Sequence, residues 1–170
     1  MEGTQQVDCS SSVNELSDKW VLWAHLPHNT DWSLKSYIKI YEVDTAEQVI
    51  ALNNSLPDLM IKNCMLFFMR QGIKPMWEDP KNVNGGCFSF KIANKNIAEI
   101  WKTISYLLTG ETLTNNEKFL NTINGITVSP KKSFCILKIW TSTLNFQNVN
   151  ILNKIENVSF QGCLFKKHKP

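Results

Sequence analysis

The sequence predicts an α+β fold in which a curved antiparallel β-sheet is backed by three α-helices on one face. Short apolar segments with alternating hydrophobicity recur along the chain and are joined by polar turns, as expected for antiparallel strands. Three other segments place apolar residues three and four positions apart, which is typical of amphipathic helices. No repeat or low-complexity linker divides the 170 residues, so a single domain is expected.

The strands are predicted from short segments that either alternate or are continuously apolar. Residues 1–17 are polar and are expected to form a flexible tail, with the domain spanning residues 18–170. KWVLWAHL and SYIKIYEV indicate the first two strands, and CMLFFM has the character of a buried strand. The predicted strands are 19–26, 36–43, 64–69, 87–93, 126–128, 134–140 and 158–165.

Two of the predicted helices have recognisable ends. Thr45 followed by Gln48 forms a capping-box pattern and predicts a helix that continues to about Asn53. Residues 96–109 place apolar side chains at helical spacing, and Gly110 is a natural stop.

A third helix is predicted from apolar spacing alone, because Phe146, Val149, Leu152 and Ile155 follow one another at intervals of three. Residues 115–120 are predicted to form a short helical turn. The helices are expected to lie together on one face of the sheet.

Composition limits the functions that the chain can have. A hydrophobic content of 43%, with 19% charged residues, is ordinary for a soluble globular protein. The net charge of +3 argues against a general polyanion binder, and a single arginine among eighteen basic residues means that phosphate contacts would depend on lysine. Five scattered cysteines without a CxxC pair indicate reduced packing residues. We expect a cytoplasmic protein with no membrane segment, cofactor or metal.

The six tryptophans divide into two groups according to their surroundings. Trp32 lies among polar turn residues in NTDWS, and Trp77 lies in the glycine-bounded loop GIKPMWEDPKNVNGG, where packing gives little reason for a large ring. Trp140 ends a strand and could point either way. For any one of these three, a ring folded back over the sheet edge remains an alternative. The tryptophans in periodic apolar segments, expected in the core, are Trp20, Trp23 and Trp101.

Two loop indoles beside a carboxylate favour a site for a flat, cationic heterocycle. Stacking contributes about 1–3 kcal/mol per base, and a cation over an indole adds about 0.5–2 kcal/mol. Glu78 would accept hydrogen bonds from ring N–H groups. Guanine presents adjacent N1–H and N2–H₂ donors, and methylation at N7 makes its ring cationic. The residues therefore fit 7-methylguanine.

GIKPMWEDPKNVNGG, KWVLWAHLPHNTDWS and KIWTST together resemble the eukaryotic translation initiation factor 4E family, the mRNA cap-binding proteins, over about residues 19–165. The resemblance implies a cupped-hand fold of a curved sheet backed by three helices. It also implies binding of the 7-methylguanosine triphosphate cap of mRNA for translation initiation, without catalysis and as a monomer.

The resemblance assigns roles to individual site residues. Trp32 and Trp77 match the pair that sandwiches the methylated base, and Glu78 matches the carboxylate that reads the guanine edge. Trp140 matches the tryptophan that contacts the N7-methyl group, and the main-chain N–H of Trp77 would meet the guanine O6. Asp79 is expected to order the loop rather than contact the ligand.

The chain departs from the family pattern at the phosphates. The family's arginine positions fall at Ser129 and Cys87 in this sequence. Lysines in the SPKKS turn, on the following strand and near the C-terminus are the nearest replacements, so phosphate contacts are expected to be rearranged. These candidates are Lys131, Lys132, Lys138, Lys166 and Lys167.

The helical face departs as well. In the family it receives a peptide helix with the pattern Tyr-x-x-x-x-Leu-apolar from scaffold factors or repressors. Two hypotheses therefore remain open: recruitment of capped mRNA through a scaffold factor, or cap binding without the usual scaffold, which would repress translation or protect messages. The positions that would form this partner surface are Ala46, Ile50, Lys102, Thr103 and Tyr106.

Catalysis and a purely structural role are the other function classes considered. His25, His28 and His168 have no metal-ligand spacing, and the sequence contains no Gly-rich phosphate loop. The serines and cysteines have no recognisable base partner. An enzyme is therefore not predicted, and a structural role would require Trp32 and Trp77 to be ordinary edge packing.

Overall fold

A computed structural model describes residues 12–169 of the chain. Its strands form one antiparallel sheet in the order β2-β1-β3-β5-β6-β4-β7. Their bounds are β1 Glu15–His25, β2 Tyr37–Thr45, β3 Met65–Arg70, β4 Gly86–Ala93, β5 Ile123–Pro130, β6 Phe134–Thr141 and β7 Leu164–Lys167. The predicted fold class is confirmed.

The longer helices pack together against the sheet. The central helix α3 contacts strands β1 and β5, and helices α1 and α2 pack on α3. The predicted capping box is present, since the backbone N–H of Gln48 donates to Thr45 Oγ1 at 3.2 Å and Gln48 Oε1 accepts from the Thr45 N–H at 3.3 Å. The helix bounds are α1 Ala46–Ser55, α2 Asp58–Asn63, α3 Ile97–Thr109 and α4 Glu117–Leu120.

The two faces of the sheet carry different apolar clusters because side chains alternate along each strand. On β3, Leu66 and Phe68 belong to the main core beneath the helices, together with Trp20. Their neighbours Phe67 and Met69 belong to a smaller cluster on the opposite face, which also contains Trp140 and is flanked by Trp23. The face away from the helices therefore has its own aromatic surface.

The predicted third helix at 146–155 is wrong. Only the 3₁₀ turn Val149–Ile151 is present there, although Leu152 is buried in the main core as its apolar character requires. The Asn148 side chain caps this turn by accepting from the Asn150 N–H at 2.9 Å, but Leu152 is extended and the Asn153 N–H donates to Leu113 O at 2.8 Å instead of to Val149 O, so no helix continues. The helix that completes the set is instead α2, which begins directly after Pro57 and was not predicted.

The final strand is shorter and later than predicted. Of the predicted segment 158–165, only its last two residues belong to β7, which continues to Lys167. A turn precedes it, with Gly162 at φ +80° and the Cys163 N–H donating to Phe160 O at 3.2 Å. This positive φ interrupts the extended conformation that the apolar alternation had indicated.

At the N-terminus, β1 begins at Glu15 and so overlaps the last three residues of the predicted tail. Residues 1–11 and 170 lie outside the described part of the chain. Among the described residues no helix has the length and apolarity needed to cross a membrane.

Candidate functional site

The loop between β3 and β4 presents Trp77 and Glu78 from a rigid base. Asp79 is buried and accepts hydrogen bonds from the main-chain N–H groups of Lys74 and Lys81, both at 2.9 Å. The Asp79 carboxylate therefore holds two parts of the loop together from within, while the Trp77 side chain remains 40% exposed on the outside. Two adjacent acids thus have opposite environments, Glu78 facing outward and Asp79 inward.

Two buried amides attach this loop to the sheet. Asn82 donates to the carbonyl oxygen of Met76 at 2.8 Å, and Asn124 on β5 donates to Asn82 Oδ1 and to Lys81 O, both at 2.9 Å. At the end of the loop a Cβ on Gly85 would overlap the carbonyl oxygen of Thr141, so only glycine fits there. The loop therefore holds its exposed indole without burying it.

Trp32 is held in place by the ring of His25, a residue whose sequence position indicated no role beyond the metal spacing that it lacks. The rings of Trp32 and His25 are parallel, with 4.0 Å between centroids and 1° between planes. His25 is itself fixed by a 2.8 Å hydrogen bond between Nε2 and Asp31 O and by the edge of Tyr37, 5.2 Å away. Trp32 remains 51% exposed. One indole face is thus covered while a large part of the ring is free.

Trp140 lies at the end of β6 on the face away from the helices. It is 7% exposed, packs on the edge of Phe67 at 6.4 Å, and is covered by His168 at 4.5 Å between ring centroids. Its indole N–H has no hydrogen-bond partner among the described residues. The C-terminal segment after β7 therefore covers the ring.

One cavity of about 230 Å³ brings these groups together. Trp32, Trp77, Glu78 and Trp140 all line it, although they come from three distant parts of the chain. Burial and the nearby charge of Glu78 raise the pKa of Tyr37, which also lines the cavity, to about 12. The roles assigned to the four residues stay predictions. The lining residues that sequence analysis missed are Tyr37, Met65, Phe67, Pro75 and Met76.

A second cavity, of about 390 Å³, collects part of the predicted phosphate set. Lys131, Lys138 and Lys166 line it, joined by Lys91, which was not predicted. The remaining two candidates, Lys132 and Lys167, are exposed residues outside this lining.

Ser129 and Cys87, which occupy the positions where the family pattern has arginine, lie at or near this lysine-lined cavity. Ser129 lines it, and Cys87 is buried near the charges of Lys138 and Lys166. Burial raises the pKa of the Cys87 thiol. The neutral thiol at this position leaves the nearby ammonium groups as the charged donors.

The predicted partner surface is partly exposed on the helical side. Ile50 on α1 is 49% exposed and Tyr106 on α3 is 39% exposed. Ala46, Lys102 and Thr103 are half-buried on the same two helices. Two apolar side chains are therefore accessible on the side of the sheet opposite the aromatic cavity.

We expect stability to depend on pH through His168. Burial, and secondly the charge of Lys138, lower the pKa of His168 from 6.5 to about 4. Between those values the unfolded state binds more protons, so the stabilising contribution of the neutral ring is present above pH 6.5 and is lost as the pH falls towards 4. Urea unfolding at pH 7 and pH 5 should show this loss in the wild type. His168→Phe, which keeps a ring over Trp140, should show a smaller difference, and an equal difference would contradict the assignment.

The fold and the site together define a class of binding domain, in which an open antiparallel sheet carries exposed indoles, an outward carboxylate and a neighbouring lysine-lined cavity. No group of three or more His, Cys, Asp and Glu side chains in residues 12–169 is arranged to hold a metal ion. Residues 15–169 match the family described as eukaryotic initiation factor 4E. The chain belongs to this family.

Curated relatives show the extent of the similarity. Eukaryotic translation initiation factor 4E-2 of Schizosaccharomyces pombe is 28% identical over 158 residues, covering 88% of this chain and 63% of the relative. The initiation factor 4E of Eremothecium gossypii is 30% identical over 76% of this chain and 63% of its own length. A 4E homologue of Acanthamoeba polyphaga mimivirus is 48% identical over 61 residues, which is 36% of this chain and 22% of the viral protein. The chain thus spans less than two thirds of the length of these relatives.

Solved structures show the same fold. The Caenorhabditis elegans eIF4E-3 in complex with the 4E-binding protein Mextli and a cap analog aligns with a TM-score of 0.72 and 23% identity, covering 82% of this chain and 80% of that one. The Ascaris suum eIF4E-3 in complex with the m7G cap aligns with a TM-score of 0.70 and 23% identity, covering 82% and 79%.

Proposed function

We propose that this chain binds the 7-methylguanosine cap of mRNA in the cavity lined by Trp32, Trp77, Glu78 and Trp140. The observation that carries the proposal is the single cavity that joins two exposed indoles to an exposed carboxylate. Family membership and the fold shared with cap-bound worm proteins support it.

The methylated base would lie between the indoles of Trp32 and Trp77. Stacking contributes about 1–3 kcal/mol per base, and the positive charge of the N7-methylated ring adds a cation–π attraction of about 0.5–2 kcal/mol. Because His25 already covers one face of Trp32, the base would take the face towards the cavity. An unmethylated guanine would lose the charge-dependent part of this attraction.

The guanine edge would be read by the loop residues. Glu78 would accept two parallel hydrogen bonds from N1–H and N2–H₂, since a carboxylate offers two acceptor oxygens in one plane. The main-chain N–H of Trp77, which has no partner among the described residues, would donate to O6. Trp140 would contact the N7-methyl group from the side of the sheet.

The triphosphate would bind the lysines that lie nearest the aromatic cavity. Lys138 lies two residues before Trp140 on the same face of β6, and Lys166 pairs with Cys87, which itself pairs with Trp140. Lys131 lines the same lysine-lined cavity but lies in the turn beyond β5, away from Trp140, so the triphosphate contact would depend on Lys138 and Lys166. Lys132 and Lys167, which are exposed outside the lining, would act only through the surrounding field.

In the cell the chain would act as a cytoplasmic, non-catalytic and monomeric factor that recruits capped mRNA for translation initiation. Its protein partner would be a scaffold factor or repressor peptide that docks on α1 and α3, where Ile50 and Tyr106 are exposed. A second candidate, a repressor or message-protecting protein that does not engage the scaffold, is favoured by Lys102 and Thr103 on that surface. Titration with a peptide of pattern Tyr-x-x-x-x-Leu-apolar separates the two, since binding supports the first.

The cheapest test of cap binding is tryptophan fluorescence during titration with 7-methyl-GTP and with GTP. The methylated nucleotide is expected to quench the emission, because it stacks on exposed indoles, and GTP is expected to do so only at much higher concentration. Equal responses to the two nucleotides, or no response to either, would contradict the proposal.

Trp32→Leu is expected to weaken binding of 7-methyl-GTP by about 5- to 150-fold, which corresponds to about 1–3 kcal/mol of lost stacking. His25→Ala should have a smaller effect of about 2- to 10-fold through loss of the supporting ring, and His25→Phe should restore most of it. Calorimetric titration measures all three. Unchanged affinity in Trp32→Leu would mean that the base is stacked on one side only.

A further inference from the structure

The lysine-lined cavity carries more lysines than the two that the proposed triphosphate site uses. We call its four cationic residues, Lys91, Lys131, Lys138 and Lys166, the lysine basin. They come from β4, the β5–β6 turn, β6 and β7, so four consecutive parts of the sheet contribute to one surface.

Strand alternation places the basin directly beside the aromatic cavity. Trp140, Lys138, Ile136 and Phe134 follow one another at intervals of two on β6 and therefore share a face. At about 3.4 Å per residue, Lys138 lies about 7 Å from Trp140 and Phe134 about 20 Å from it along the strand. The basin thus continues from the predicted base site towards the far end of β6.

The lysines divide into a near and a far pair. Lys138 lies close to Trp140 because it is two residues earlier on β6. Lys166 lies close to Trp140 because both residues pair with Cys87, from the strands on either side of β4. Lys91 pairs with Ile136, further along the sheet, and Lys131 lies in the turn beyond β5. Phe134 gives the far end a half-buried aromatic ring, with Lys91 Nζ 4.4 Å from its centroid.

The basin has no internal counter-charge. No acidic residue is among those that line it. The ion pairs of the described residues involve Lys39 and Arg70, and none involves a basin lysine. Four unneutralised ammonium groups in one concave surface attract an extended anion more strongly than a single phosphate.

We propose that the far half of the lysine basin, formed by Lys91 and Lys131, binds the RNA chain that follows the cap. This inference rests on the proposed cap site, which fixes the start of the RNA at Trp140. The near lysines then hold the triphosphate, and the far lysines hold the phosphodiesters of the first nucleotides.

The test compares ligands of increasing length on the intact chain. Lys91→Gln/Lys131→Gln, the double variant, removes the two far charges, and Lys118→Gln/Lys154→Gln, which removes two exposed lysines outside both cavities, is the matched control. Affinities are measured by fluorescence for 7-methyl-GTP, a capped five-nucleotide RNA and the same RNA with an uncapped 5′-triphosphate, each at several salt concentrations.

The wild type is expected to bind the capped RNA more tightly than 7-methyl-GTP, with a salt slope steeper by about 0.7 for each additional phosphate contacted. The double variant should lose this difference and keep its affinity for 7-methyl-GTP within about twofold, while the control Lys118→Gln/Lys154→Gln keeps the difference. Equal affinity of the wild type for both ligands, or an unchanged difference in the double variant, overturns the proposal.

The uncapped RNA separates this proposal from the cap site itself. If 7-methyl-GTP does not bind at all, the proposed function fails. RNA binding that weakens in the double variant would still support the basin, and no binding of either RNA would overturn it.

Discussion

Replacing Glu78 with glutamine is expected to weaken 7-methyl-GTP binding by about 30- to 1000-fold, which corresponds to about 2–4 kcal/mol. The carboxylate would accept two charge-assisted hydrogen bonds from the guanine edge, whereas glutamine has one acceptor and must direct its NH₂ group at a guanine donor. Loss of the negative charge also removes its attraction for the cationic base. Calorimetric titration of both proteins measures the difference.

The same substitution should leave the free energy of unfolding within about 0.5 kcal/mol of the wild type. Glu78 is exposed and makes no hydrogen bond or ion pair with another residue in the described range. Glu156→Gln, an exposed change outside the helices and strands, is the matched control and should alter neither quantity. Cap binding retained in Glu78→Gln would overturn the assignment of the base-reading group.

Replacing the neighbouring Asp79 with alanine is expected to lower the free energy of unfolding by about 2–4 kcal/mol, because two main-chain N–H groups lose their charged acceptor. For a domain of this size the change corresponds to a fall in Tm of about 5–15 °C. Thermal unfolding followed by circular dichroism measures it. Cap affinity should fall as well, since the loop that carries Trp77 is no longer held in place.

Glu156→Ala provides the comparison for this second experiment, since Glu156 is exposed and its loss should change stability by no more than about 0.5 kcal/mol. A stability of Asp79→Ala equal to that of Glu156→Ala would show that other contacts hold the loop. Glu78→Gln should therefore change binding alone, whereas Asp79→Ala should change both stability and binding.

Alternation and capping patterns predicted most of the sheet and the first helix because both depend on local sequence. Residues 146–155 show where such patterns fail: the apolar spacing was that of a helix, but the Asn153 N–H bonds Leu113 O in a distant loop and the chain leaves the helical conformation at Leu152. Burial of Leu152 needs only that the side chain face the core, which an irregular segment also permits. Apolar spacing therefore predicted burial correctly and secondary structure wrongly.

The sequence predicted those candidate site residues whose side-chain type is unusual for their immediate neighbours in the chain. Trp32, Trp77 and Glu78 lie in polar loops, and this signal depends only on neighbouring residues. The contact of His25 with Trp32 and the contribution of Lys91 to the basin depend on tertiary structure. Lys91 and Lys138 line one cavity only because β4 pairs with β6, a pairing between strands that are not consecutive in the chain.

The aromatic cavity exists only in the folded chain, because its tryptophans come from a loop before β2, a loop before β4 and the end of β6. A cap analogue would therefore bind the native state and not the unfolded one, and mass action would couple its concentration to the melting temperature. At one hundred times its Kd such a ligand contributes about 2.7 kcal/mol to the native state. The occupied protein would consequently resist heat and proteolysis better than the free one.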